Sequence, residues 1–344
     1  MNKRGSDFPE IIAEVSGNHN GSLERGLEII DAAAEAGATG IKLQTYTPDT
    51  ITLDLDNEPF VIGSSHALWA DRKLYDLYRE AHTPWSWHKP LFARAASLGL
   101  DYFSTPFDET AVDFLEGLNV SRYKIASIEI VDLPLIRRVA ATGKPVVIST
   151  GASTLEEVEN AVQVVRQAGN ESITLLVCSS SYPASAESAN LASMATLRET
   201  FGVAVGYSDH TLGNVSAVAA AALGADMIEK HLTLDTSGGG PDDGFSSNPS
   251  TFADLVREVR EAVRSLGSAQ IFVSAEEEQS RALRPSLWVT RDVAAGEPVG
   301  PDNVASLRPS GGLPPEMFTA VEGKVFKSPH PRGTPLSESM LRAH

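Results

Sequence analysis

At 344 residues the chain is longer than a typical single domain, so one large domain with a small companion is the expected organisation. A hydrophobic share of 42% predicts a folded globular protein, and a formal net charge of −17 argues against nucleic acid as a partner, because phosphate backbones demand clustered Lys and Arg. The single cysteine, Cys178, excludes an internal disulfide and a Cys-rich zinc site; no run reaches the ~18 apolar residues of a membrane span, and MNKRGSDFPEIIAEV lacks a signal-type apolar stretch, so a cytoplasmic protein with no membrane partner is expected.

IIAEVSG (11–17) reads as a strand, and SLERGLEIIDAAAEAG (22–37) as a helix, from apolar residues at three- and four-residue spacing and a closing glycine. The same unit recurs eight times. GIKLQTY (40–46) is followed by a long polar insertion and the helix TPWSWHKPLFARAASLG (83–99), LDYFSTPF (100–107) by DETAVDFLEGLN, and RYKIAS (122–127) by DLPLIRRVAATG. KPVVIST (144–150) leads to STLEEVENAVQVVRQAG, ITLLVCSS (173–180) to a helix near 190–202, AVGYSDH (204–210) to NVSAVAAAALG, and DMIEKHLT (226–233) to NPSTFADLVREVREAVRSLG (248–267). Eight such units over about 250 residues predict an α/β fold, a (β/α)8 TIM barrel spanning 1–267. A doubly wound sheet would need a nucleotide-type glycine loop after the first strand, and SGNHNG is not GxGxxG. Residues 268–283 turn polar and read as a linker; 284–344 carry short strands cut by Gly and Pro turns and read as a small, mostly β domain.

A barrel builds its active site from the C-terminal ends of its strands. Those ends supply Glu14, Lys42 with Gln44, Ser104 with Thr105, Lys124 with Ser127, Ser149 with Thr150, Ser180 with Tyr182, Ser208 with His210, and Glu229 with His231. His210 and His231 close neighbouring strands, where two imidazoles can share one divalent ion or can each be hydrogen-bonded structural residues. Lys42 and Lys124 interrupt apolar strands beside several hydroxyls, a set suited to a phosphate or carboxylate, against the alternative that they snorkel outward. Alternation turns Lys230 away from His231, towards a structural role. Glu14 suits an acid, a base or a hydroxyl acceptor, and Asp242 and Asp243 either hold a metal-bound water or are loop charges. Cys178 reads as a small buried core residue. His19 stabilises its loop or meets substrate; His66, His82, His88, His330 and His344 read as surface or structural.

With these residues in view, the sequence resembles the sialic acid synthase family, through AEVSGNHNGS, IKLQTYT, FSTPFDETAVDFLE, YKIAS, GKPVVISTG, SSSYPAS, GYSDHTLG, EKHLTL and GPDDGFS, with LRPSGGLPP resembling the antifreeze-like (SAF) module. Within it, SGNHN, QTYT and SSYP are most similar to the pseudaminic acid synthase branch; the sialic acid branch carries asparagine where Ser180 stands. The resemblance implies condensation of phosphoenolpyruvate with an amino-sugar aldehyde, 2,4-diacetamido-2,4,6-trideoxy-L-altrose for that branch and an N-acetylneuraminate or legionaminate precursor as the alternative. It implies that His210 and His231 bind a divalent metal, Mn2+ with Mg2+ or Co2+ as substitutes, and that Lys42, Lys124, Ser127, Ser149 and Ser208 hold phosphoenolpyruvate, with Thr105 and Ser180 in the same substrate-binding set. Glu14, Gln44, Tyr182 and Asp242 match positions near the sugar or a metal-bound water. Arg308 matches an arginine that reaches into the partner's active site, so a domain-swapped homodimer is implied.

Overall fold

The computed structural model describes residues 8–64 and 68–343, so His66 and His344 lie outside the described residues. The chain divides between Gly267 and Ser268 into two compact units. In the first, eight parallel strands close a barrel in sequence order: β1 (Glu10–Glu14), β2 (Gly40–Thr45), β3 (Asp101–Pro106), β4 (Tyr123–Ile125), β5 (Val146–Ser149), β6 (Ile173–Cys178), β7 (Ala204–Asp209) and β8 (Met227–His231). The seam pairs β1 with β8, setting Glu14 opposite His231, while β2 sets Lys42 opposite Glu14 on the other edge.

Side chains alternate between the barrel interior and the helical layer, so each strand contributes inward residues at every second position. A lower layer of Ile12, Phe103, Val147, Leu176 and Met227 is apolar and buried. Two residues further along the same strands stand Glu14, Thr105, Ser149, Cys178 and Glu229, so polarity begins one layer above the plug. Gly206 allows β7 to approach β8: a Cβ there would lie 2.2 Å from the Met227 carbonyl oxygen. The outward set, including Ala13, Ile41, Ile125, Ile148, Leu175, Val205 and Ile228, packs under the helices in one large core.

Several helices begin where the sequence provides a cap. Ser22 accepts from the Arg25 N–H, Asp108 from Thr110 and Ala111, and Thr154 from Glu157 in a capping box. The helix expected near 190–202 is Ser193–Phe201. One expectation needs correction. The first strand ends at Glu14, because Ser16–His19 winds into a 3-10 turn with Ser16 in the left-handed region at φ 45°. The polar insertion after β2 contains a helix that the sequence reading left unassigned, Leu74–Ala81, whose Leu77 is buried.

The second unit holds two antiparallel pairs, β9 (Ser286–Val289) with β10 (Val304–Leu307) and β11 (Val325–Phe326) with β12 (Leu341–Arg342), around a core that includes Leu287, Val304, Phe326 and Leu336. The segment read as a linker contains one short helix, Glu278–Arg281. Among the described residues no helix is long and apolar enough to cross a membrane.

Candidate active site

The inward residues of the polar layer meet as a charge network on the barrel axis. Lys42 lies between Glu14, which it touches directly, and Thr105, whose hydroxyl accepts from its ammonium at 3.0 Å; Glu229 is 3.9 Å away. Lys124 donates to Glu229 at 3.1 Å, and the Ser208 hydroxyl donates to the same oxygen at 3.0 Å. All six are buried. Two ammoniums and two carboxylates in one buried layer neutralise each other, which is how burial of four charges is tolerated.

The titration of this cluster follows from its geometry. Burial opposes ionisation of Glu229, but Lys124 and Lys42 outweigh it and hold the carboxyl at about 2. Burial pushes Glu14 up, against the pull of Lys42. Burial would depress the Lys42 ammonium, yet Glu14 and Glu229 dominate and raise it.

Gln44 extends the network along β1. Its amide donates to Glu14 at 3.1 Å and to Ser16 at 2.9 Å, and the Ser16 hydroxyl donates to Asp242 at 2.5 Å. Asp242 also accepts from the Gly17 N–H at 3.0 Å, so the strained Ser16 turn is tied to the loop after β8. Asp243 points elsewhere, holding that loop through Thr233, Asn20 and the Gly240 N–H.

On the opposite side hydroxyls gather round a glycine. The Gly151 N–H donates to Ser127 at 3.1 Å, and a Cβ at Gly151 would stand 2.5 Å from the Ser180 hydroxyl and 2.8 Å from that of Ser127. Any side chain there would displace both hydroxyls. The Ser149 and Ser180 hydroxyls are buried without a hydrogen-bond partner among the described residues, as polar groups awaiting an acceptor would be.

Above this floor stand the two imidazoles, with ring centroids 5.2 Å apart. The His210 Nδ1 pairs with the Ser179 carbonyl at 2.8 Å, which leaves its Nε2 for another partner; the buried His231 Nδ1 has none among the described residues. Burial, then the charges of His210 and Lys42, keep His231 well below the ordinary imidazole value and therefore neutral. Tyr182 packs on His210 at 4.4 Å and Phe245 on His231 at 4.9 Å.

The structure thus brings together Glu14, Lys42, Gln44, Thr105, Lys124, Ser208, His210 and His231 directly or through shared partners, with Ser127, Ser149, Ser180, Tyr182 and Asp242 round the same mouth. Arg308 belongs to the second unit, where it is exposed beside Trp288 and Arg332. Lys230 faces out of the barrel, pairing with Asp209 at 2.6 Å. The core reading of Cys178 is corrected: it is half-buried at the mouth, its sulfur 3.7 Å from His210 Nδ1, because β6 alternation puts it two residues above Leu176. His19 is buried against Trp87 and accepts from the Gly21 N–H, which fits its loop-stabilising reading. Sequence reasoning placed Glu229 with His231 at a strand end but gave it no role; it missed Ser16 and the aromatic residues Trp69 and Phe245, which carry no local signal.

Residues 29–271 match the NeuB family and residues 284–342 the SAF domain. The chain is 42% identical over 330 residues to a pseudaminic acid synthase of Helicobacter pylori, covering 96% of each, and 37% identical to an N,N'-diacetyllegionaminic acid synthase of Legionella pneumophila, covering 95% of this chain and 92% of that one. The crystal structure of an N-acetylneuraminic acid synthetase from Leptospira borgpetersenii in complex with citrate superposes with a TM-score of 0.70 at 32% identity, over 80% of this chain and 91% of that chain. With this end-to-end likeness and this barrel, the chain belongs to the NeuB family.

Proposed function

We propose that the protein condenses phosphoenolpyruvate with the open-chain aldehyde of 2,4-diacetamido-2,4,6-trideoxy-L-altrose, giving pseudaminic acid and inorganic phosphate. The observation that carries this reading is the 42% identity to a pseudaminic acid synthase over 96% of both chains. Legionaminate synthesis is the second reading, favoured by the 37% relative, and differs in the stereochemistry of the acceptor.

Carbon 3 of phosphoenolpyruvate forms the new bond to the aldehyde carbon. Water adds to carbon 2, the bond from carbon 2 to the bridging oxygen breaks, and phosphate leaves with that oxygen. One proton of that water ends on the aldehyde oxygen and the other on the departing phosphate as carbon 2 becomes a carbonyl, so the balance closes. Lys42 and Lys124 offer the two buried cations that a phosphate and carboxylate need, and Ser127, Ser149, Ser180 and Ser208 offer hydroxyl donors around them. Thr105 orients the Lys42 ammonium. Glu14, held by Gln44, is the group that relays the proton to the aldehyde oxygen. Confining both substrates in one cleft makes their encounter effectively unimolecular.

The donor chemistry fits a divalent cation such as Mn2+: a neutral His231 with an unpartnered buried nitrogen, and a His210 whose Nδ1 is committed to a carbonyl, which leaves Nε2 as ligand once its proton is displaced. When bound, the ion would supply Lewis-acid polarisation of the aldehyde carbonyl. Among the described residues no group of three or more His, Cys, Asp or Glu forms a complete cage, so water and substrate oxygens would fill the other positions. Arg308 serves the barrel of a second copy in a domain-swapped homodimer. The decisive assay offers the altrose-, mannose- and bacillosamine-derived amino sugars with phosphoenolpyruvate labelled with 18O at its bridging position. The label should appear in phosphate with the altrose sugar preferred; unlabelled phosphate, or no product from any sugar, refutes the reading.

A further inference from the structure

We infer that Ser16 is a positioning residue: its hydroxyl fixes the Gln44 carboxamide so that the carbonyl oxygen, not the amino group, faces the amino sugar and accepts from one of its hydroxyl or acetamido N–H groups. This rests on the condensation proposed above and deepens it.

Ser16 holds a conformation that is unfavourable for it. At φ 45° its backbone lies in the left-handed region, where a side chain crowds the main chain and glycine does not. Such strain persists where the surrounding structure requires the residue, and here its side chain is buried and engaged on two sides. The hydroxyl donates to Asp242 Oδ2 at 2.5 Å, an oxygen that also accepts from the Gly17 N–H at 3.0 Å. A hydroxyl has one proton. With that proton given to Asp242, only lone pairs remain for any other neighbour.

That neighbour is Gln44. A carboxamide can turn by half a revolution about its last bond, exchanging oxygen and nitrogen at little steric cost. Against a Ser16 oxygen that can only accept, the turned form would set oxygen against oxygen, so the amino group lies there. It donates to Ser16 at 2.9 Å and to Glu14 at 3.1 Å, which commits both of its protons. The Gln44 carbonyl oxygen is then left without a partner among the described residues. Gln44 is partly exposed and stands two residues above Lys42 on β2, as His210 and His231 stand two above Ser208 and Glu229. Its oxygen therefore belongs to the level at which the imidazoles open to the mouth. An acceptor carrying hydroxyl and acetamido N–H groups finds a lone acceptor atom there, and loses it when the amide is free to turn.

The test is steady-state kinetics, read as phosphate release, with 2,4-diacetamido-2,4,6-trideoxy-L-altrose and phosphoenolpyruvate. Ser16→Gly removes the hydroxyl and relieves the backbone; KM for the amino sugar should rise on the order of 10-fold, the worth of one hydrogen bond, with KM for phosphoenolpyruvate within about 2-fold of wild type. Ser16→Ala, which lacks the hydroxyl but keeps the strain, should give the same split and covers the case in which the glycine variant does not fold. In a Gln44→Ala background Ser16→Gly should add less than about 2-fold, because the amide through which it acts is gone. Where turnover is too slow, the Kd of the amino sugar from titration calorimetry replaces KM. An unchanged sugar KM in either folded variant, an equal rise for phosphoenolpyruvate, or the full effect persisting without Gln44 each overturns the positioning role and leaves the condensation standing. Failure of wild type to turn over the sugar overturns the condensation and the positioning role with it.

Discussion

Glu229→Gln isolates the charge network. Glu229 is the counter-ion of Lys124 at 3.1 Å and a second one for Lys42 at 3.9 Å. At an effective dielectric near 20 these separations correspond to attractions of about 5 and about 4 kcal/mol, most of which offsets the desolvation of the ions. Glutamine keeps the hydrogen bonds from Lys124 and Ser208 but leaves one ammonium uncompensated, so the loss should be about 3 kcal/mol, the low end for a broken buried pair. In a barrel of this size that lowers Tm by roughly 6–12 °C. Because the folded carboxyl is held at about 2, below its ordinary 4.5, its stabilising contribution is present above pH 4.5 and is lost as pH falls towards about 2. The gap between variant and wild type should therefore close in acid. Phosphoenolpyruvate replaces the missing negative charge, so it should raise the Tm of the variant more than that of wild type. Calorimetry at pH 7 and at pH 3, with and without phosphoenolpyruvate, measures all three effects. Equal Tm values at pH 7 would show that Glu229 does not balance the lysines.

His210→Ala and His231→Ala should each abolish turnover while changing Tm by only a few degrees, and titration calorimetry with Mn2+ should show loss of binding; full activity of either variant in chelator-treated buffer removes the metal role. Glu129 ends the β4 loop with its carboxyl pushed up to about 7, by burial first. Its neutral form suits the fold, so that contribution is complete below the ordinary 4.5 and lost as pH rises through about 7; Glu129→Gln should match wild type at pH 5 and melt higher at pH 8.5, and identical curves at both pH values would refute the shift. Arg308→Ala and His231→Ala should be inactive separately, yet mixed and refolded together they should recover about a quarter of wild-type activity, one competent site in two in half the dimers; no recovery argues against sharing between subunits.

The strand-and-helix alternation was legible because each unit repeats the same two periods, and Lys42, Lys124, His210 and His231 were legible because a charged or imidazole group breaking an apolar strand has few homes other than the barrel mouth. The helix Leu74–Ala81 went unread, although Leu74, Leu77, Tyr78 and Ala81 make an apolar stripe, because the charges around it hid the pattern. By itself the sequence determined the closed barrel, the strand ends that carry its polar residues and the small β domain, all consequences of local period and turn chemistry. Tertiary structure alone decided that Glu229 neutralises Lys124 across 105 residues, that Cys178 meets His210 rather than the core, and that Trp69 closes a row of rings begun by Tyr182. Those contacts depend on barrel closure and loop placement, which bring distant residues within a few ångströms and leave no periodic trace in the chain.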